Sequence, residues 1–146
     1  MKLQTKHFGE IEIDEHTVID FPEGIPGFEN FKRYVILKNP DPDNPFHWLQ
    51  CVDDTDLAFA IVNPFILKED YDFAIPDSVI EKLNIESIED IIILTIVVIP
   101  EDIRKMTANL RAPLIINIHS RLGKQLILED ATYPSKYFIM HESMEG

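Results

Sequence analysis

The chain has 146 residues, 45% of them hydrophobic and 27% charged. That is the size and balance of one folded unit, not of a disordered chain or of two full domains. Its 13 Lys and Arg stand against 26 Asp and Glu, a formal net charge of −13; this removes the counterion-release energy that drives nucleic-acid binding and disfavours docking on an anionic membrane.

Ile and Val together number 29, beside 9 Phe, 4 Tyr and 1 Trp, an enrichment that favours sheet over helix. Residues 9–14 alternate polar and apolar, with Ile11 and Ile13 on one face of a half-buried strand. Residues 18–21 continue as a strand until Pro22, Gly24, Pro26 and Gly27 force a turn. Residues 34–37 form a third strand, which stops where Pro40, Pro42 and Pro45 forbid a regular ladder. Residues 46–52 and 57–62, joined by Asp53, Asp54, Thr55 and Asp56, read as a hairpin. Asp77 is placed to cap a short helix over 78–83, with Ile80 and Leu83 on one face, and Ser87 to cap a further turn. The run 91–99 reads as a strand buried on both faces. A second hairpin follows, 114–118 with 124–128 around Ser120 to Gly123. The whole predicts a mainly β protein: a small antiparallel β-barrel-like single domain over 1–141 with one or two short helices, and a frayed tail at 142–146.

The chemistry of catalysis is not evident. His7, His16, His47, His119 and His141 never recur at helical ligand spacing, and a lone cysteine cannot form a zinc pair, so no metal or cofactor is expected. Asp41, Asp43 and Asn44 lack the glycine and terminal Glu of a calcium loop. Cys51, between Gln50 and Val52 in an apolar strand, reads as a buried structural thiol, excludes an internal disulfide, and fits a reducing compartment. Carboxylate pairs occur at 53/54, 69/70, 89/90, 101/102 and 129/130, yet nothing around them forces the pKa shift that acid–base work needs. No apolar leader stands in residues 1–9, and the longest apolar run is far short of the roughly 20 residues of a spanning helix. A cytoplasmic, non-enzymatic monomer is expected.

Charge is segregated along the chain. Residues 39–77 hold nine acids against Lys68 alone, and residues 103–128 hold no acid against Arg104, Lys105, Arg111, Arg121 and Lys124. Either the two runs neighbour and compensate each other, or they form separate patches for different partners. Three stiff loops carry exposed-type chemistry: residues 21–28, with two prolines among hydrophobic side chains; Asn63, Pro64 and Phe65 at a strand end; and residues 107–113, where Asn109 is placed to satisfy nearby backbone groups. Each is either a structural turn or a rigid recognition surface, where aromatic and Arg groups bind at low entropic cost.

Along these segments the chain resembles the bacterial FliW family of flagellar assembly factors. The resemblance rests on T-K-H-F-G-E-I-E-I at 5–13, G-I-P-G-F at 24–28, P-F-H-W-L-Q at 45–50, L-A-F-A-I-V-N-P-F at 57–65, T-A-N-L-R-A-P at 107–113 and G-K-Q-L-I-L at 123–128. It implies a small β-barrel and a non-catalytic role: binding and antagonising the basic translational regulator CsrA, which relieves repression of flagellin mRNA, and binding flagellin as a partner-switching sensor. A dedicated flagellin chaperone without a translational role is the alternative, and a hydrolase using a carboxylate pair a more distant one. For contact with CsrA, the expected anchor is Asn63, Pro64 and Phe65. The expected phosphate-repelling face comprises Asp53, Asp54, Asp56, Glu69, Asp70 and Asp72. Direct nucleic-acid or membrane binding is not expected.

Overall fold

The computed structural model describes residues 1–129 and 132–140. The expected tail at 142–146, the boundary at 141, Asp130 and His141 lie outside them. The strands are β1 (Lys2–Thr5), β2 (Gly9–Glu12), β3 (Ile19–Asp20), β4 (Arg33–Leu37), β5 (His47–Cys51), β6 (Ala58–Val62), β7 (Ile91–Val98), β8 (Thr107–Ala108), β9 (Leu114–Asn117), β10 (Leu122–Gln125) and β11 (Tyr137–Phe138). Two short helices interrupt them, α1 (Pro64–Leu67) and α2 (Asp77–Lys82).

Seven strands close a ring in the order β7, β6, β5, β4, β3, β10, β9 and back to β7. The expectation of a mainly β barrel holds, with one departure from an all-antiparallel sheet. A ring with an odd number of members cannot alternate direction throughout, so one pairing must be parallel; it is β3 with β10, where Leu122 faces Asp20. Strand β7 is long because it serves three partners. One edge carries β6, and the other carries β9 along Ile91–Leu94 and then β8 at Val97 and Val98.

The register explains the core. Paired residues point to the same face, and neighbours along a strand to opposite faces. Tyr34 faces Cys51, Ile36 faces Leu49, Leu49 faces Phe59, Ile61 faces Ile96, and Leu94 faces Leu114. These residues fill the barrel with Ile19, Phe21, Ile25 and Ile116. Gly123 faces Ile116 on that inner side; a Cβ there would stand 2.7 Å from the Phe21 ring, so the strand gives up its side chain where the phenyl enters. Cys51 is buried as expected, and burial pushes its thiol pKa up.

The outer face is covered in three places. Hairpin β1–β2 lies over β5: His7 stacks on Trp48 at 3.7 Å, and Lys6 N–H donates to Gln50 Oε1 at 3.0 Å. Tyr71 and the segment around Tyr133 and Tyr137 cover Ala60, Val62 and Val97. Val79 of helix α2 and Leu83 at its C-terminal cap pack on Ile115. Fully burying each such aliphatic side chain stabilises by about 1.5–3 kcal/mol.

Several expected details are revised. Strand β1, the partner of β2, was not anticipated, because K-L-Q-T has too few apolar positions to mark a strand. Residues 18–21 contribute only Ile19 and Asp20, and the last barrel strand sits at Leu122–Gln125 rather than 124–128. Asp77 is the first helical residue of α2; Pro76 holds the cap position in an extended conformation, φ −60° and ψ 148°, with no side-chain bond. Ser87 does cap its turn, accepting from Glu89 N. The run 91–99 is fully buried only at Leu94, Thr95 and Val97, while Val98 is 62% exposed, because β7 runs out of covering partners at its end.

Tyr34 Oη is buried with no hydrogen-bond partner among the described residues, and burial pushes its pKa up. An unmade buried bond costs about 1–3 kcal/mol. Tyr34→Phe is therefore expected to raise stability by about 1 kcal/mol in chemical denaturation; a loss of that size would show that the hydroxyl is satisfied.

Candidate docking surfaces

At the end of β6 the chain turns sharply. Asn63 Oδ1 accepts from Phe65 N at 2.9 Å and caps α1, with Pro64 buried at its first position. Asparagine cap plus proline is a favoured helix start, yet a helix of four residues was not foreseen there. This entry holds Phe65 outward, 43% exposed, its ring 5.7 Å from that of Tyr71. Tyr71 is fixed in turn by donating from Oη to the Leu110 carbonyl at 2.7 Å.

Phe65 borders an apolar cleft of about 620 Å³ at this barrel mouth, with Ile36, Ile61, Phe73, Ile88 and Ile92 among its walls. Asn63 and Asp72 line it as well. Glu69 and Asp70 stand exposed on the turn after α1; Lys68 bonds Asp70 at 3.0 Å and holds that carboxyl below its usual range. Asp41 and Asp43 lie in the loop between Lys38 and His47, which themselves line the cleft. The lining is mainly apolar, with Asp72 and Lys38 as its charged members, and the exposed acids Asp41, Asp43, Glu69 and Asp70 lie on the chain segments that lead into it.

The expected acidic residues are thus divided. Asp53, Asp54 and Asp56 occupy the β5–β6 turn, at the opposite end of a five-residue strand from Asn63. At 3.4 Å per residue that is roughly 17 Å away. Arg33 grips Asp53 through both Nε and a terminal nitrogen, and Asp54 accepts from Asp56 N at 3.0 Å.

At that opposite end a second cleft, about 430 Å³, lies between Ile25, Phe28, Phe59, Ile96, Val98 and Ile127. Both remaining loops singled out in the sequence converge on it. In residues 21–28, Phe21 and Ile25 are buried while Phe28 is 39% exposed, so the loop is part core plug and part surface. Glu23 ties the loop to the barrel through Lys124 at 2.7 Å and Lys82 at 3.5 Å, and these lysines hold its carboxyl below the usual range. In residues 107–113, Asn109 Oδ1 accepts from Arg111 N and Ala112 N, as expected for that asparagine.

Two buried amides organise the turns behind these surfaces and were missed by sequence reading. Gln50 Nε2 reaches the carbonyls of Cys51, Asp54, Thr55 and Leu57. Asn117 donates to Leu83 O and Asn84 O and accepts from His119 N and Ser120 N. A polar residue inside an otherwise apolar strand was the available signal. The cleft isoleucines gave none, since each reads locally as core; only Ile88, alone between Ser87 and Glu89 and 79% exposed, stands apart.

Among the described residues no three His, Cys, Asp or Glu are placed to hold a metal ion, and no helix is long and apolar enough to cross a membrane. The fold is a seven-stranded mixed barrel with an apolar cleft at either end. A family model described as "FliW protein" matches residues 2–139. The "Flagellar assembly factor FliW" of Alkaliphilus metalliredigens is 55% identical, covering 97% of this chain and 88% of that protein. The protein of the same description from Caldicellulosiruptor bescii is 49% identical over 94% of this chain and 89% of its own. A solved structure, "Crystal structure of the flagellar assembly factor FliW", superposes with a TM-score of 0.90 at 37% identity, covering 97% of this chain and 99% of that one. The chain belongs to the FliW family of flagellar assembly factors.

Proposed function

We propose that this protein works in the cytoplasm by binding and antagonising CsrA, so relieving repression of flagellin mRNA, and that it binds flagellin as the second partner of a switch. The observation that carries the CsrA contact is Phe65, held half-exposed by a capped, proline-stiffened turn at the mouth of an apolar cleft that Asp72 lines and that acidic loop segments adjoin. An aromatic anchor on a rigid support supplies affinity, and a rim of the opposite sign to a basic partner supplies on-rate and specificity. Acidic groups held beside an RNA-binding surface also repel phosphate within about one Debye length, about 8 Å at physiological salt.

The acidic segments provide the test. In one variant Glu69→Gln, Asp70→Asn and Asp72→Asn are combined, and in a second Asp53→Asn, Asp54→Asn and Asp56→Asn. Surface changes of this kind should shift stability by only about 0.5 kcal/mol or less per site. In the first set Asp72 lines the Phe65 cleft and Glu69 and Asp70 stand on the turn just before it, while the second set lies at the far end of the barrel. The first variant is expected to bind CsrA yet release RNA less well, a defect that shrinks as salt rises; the second should behave as wild type. Displacement of RNA in simple proportion to binding, for both variants at every salt concentration, would leave steric exclusion or a shape change in CsrA as the mechanism. A wild-type protein that binds flagellin but leaves CsrA–RNA affinity untouched would instead make it a flagellin chaperone.

A further inference from the structure

We propose that residues 132–139 form a strap that sets the position of Phe65, with Tyr133 and Tyr137 as its positioning residues. The role rests on the reading of Phe65 as the CsrA anchor and says what holds that anchor in place. Helix α1 has four residues, of which only Pro64 is buried. A single helical turn has no stability of its own. The Asn63 cap fixes where the helix begins, but the turn that follows it is held from far along the chain.

Two hydroxyls of the strap bracket that turn. Tyr137 Oη donates to the carbonyl of Leu67, the last residue of α1, at 3.4 Å. Tyr133 Oη accepts from the N–H of Asp72, which lines the Phe65 cleft, at 3.0 Å. These partners are 70 and 61 positions apart in the chain. Between the two bonds lies Tyr71, whose N–H donates to the Lys68 carbonyl at 3.0 Å and whose ring supports that of Phe65. Tyr133 meets the Tyr71 ring edge-on at 4.7 Å, and Leu110 O holds the Tyr71 hydroxyl. The strap is in turn fixed to the sheet. Tyr137 and Phe138 pair with Ala108 and Thr107 of β8, and Ile139 N–H donates to the Met106 carbonyl at 3.1 Å. A continuous path therefore runs from β8 through the two tyrosines to Tyr71 and Phe65. The tyrosine rings also pack on the cluster around Val62 and Val97, but packing needs only the rings. The hydroxyls are spent on backbone groups at the two ends of one turn, and this is what sets its place. An anchor already held in its bound position loses less freedom on association.

The experiment is a mutant cycle read by CsrA binding. Tyr133→Phe, Tyr137→Phe and the two combined are made with Phe65 present and again with Phe65→Ala, and CsrA from the same organism is titrated against each. Melting temperatures are recorded alongside. Phenylalanine keeps the ring and removes one hydroxyl, so each single variant should melt only a few degrees below its parent. With Phe65 present, the combined variant is expected to bind CsrA about fivefold more weakly, and each single variant about twofold. With Phe65→Ala, the same changes should alter binding by less than about 1.5-fold, because the position they set no longer carries an anchor. A merely structural role would lower binding by the same factor in both backgrounds, and that result overturns this assignment. So does a combined variant that binds CsrA as tightly as wild type. If the combined variant does not fold, the single variants decide by the same comparison. In each of these cases the wild-type protein still binds CsrA and loses affinity on Phe65→Ala, so the proposed function stands. A wild-type protein that leaves CsrA unbound overturns the proposed function and this assignment together.

Discussion

Replacing Gly24 with alanine is expected to destabilise the fold by about 2–5 kcal/mol, the largest effect of any single methyl group here. Two costs add. Gly24 has a φ of +70°, and a Cβ there would lie 2.6 Å from Glu29 Cα and 2.8 Å from Glu29 O. Both opposing atoms are backbone, in the loop that presents Phe28, so no side chain can swing aside. Gly9 separates the two costs: its φ is +65° and a Cβ there meets nothing within 4 Å. Gly9→Ala should cost only the backbone strain, about 1–2 kcal/mol. Denaturant unfolding of both variants reads the difference. Equal losses would mean that the 21–28 loop yields easily to the added methyl group.

Phe65→Ala is expected to weaken binding to CsrA by about 1–3 kcal/mol, up to two orders of magnitude in Kd. The sequence left two outcomes open, because a core phenylalanine would instead cost about 3–5 kcal/mol of stability. Its 43% exposure and single ring contact with Tyr71 decide between them. Stability should fall by about 1 kcal/mol, the scale of one partial aromatic contact. Titration calorimetry and thermal unfolding of the same preparation measure both. Full affinity with a large fall in melting temperature would retire Asn63, Pro64 and Phe65 as a contact site.

Most of the strands were legible because their apolar residues recur at period two between proline and glycine stops. The β5–β6 hairpin, the buried Cys51 and the role of Asn109 followed from such local rules. Strand β1 and helix α1 did not. Each has four residues, and so short a segment carries too little pattern to declare itself. Asp77 was misread as a cap because its side chain is suited to the task, while the conformation belongs to Pro76.

Composition and local order alone determined a mainly β protein, strongly acidic, with its charge divided between two runs and with three stiff loops. Those properties depend on residues near each other in the chain. Which loops share a surface depends on ring closure. The seven-stranded ring, with its single parallel pairing of β3 and β10, brings residues 21–28 beside residues 107–113 and sends Phe65 to the opposite mouth. It also separates Asp53, Asp54 and Asp56 from Glu69, Asp70 and Asp72, which the sequence had grouped as one acidic stretch. The division arises because a strand reverses the end of the barrel at which its two flanking loops emerge. Five residues of β6 suffice to place neighbouring acids on opposite faces of the molecule.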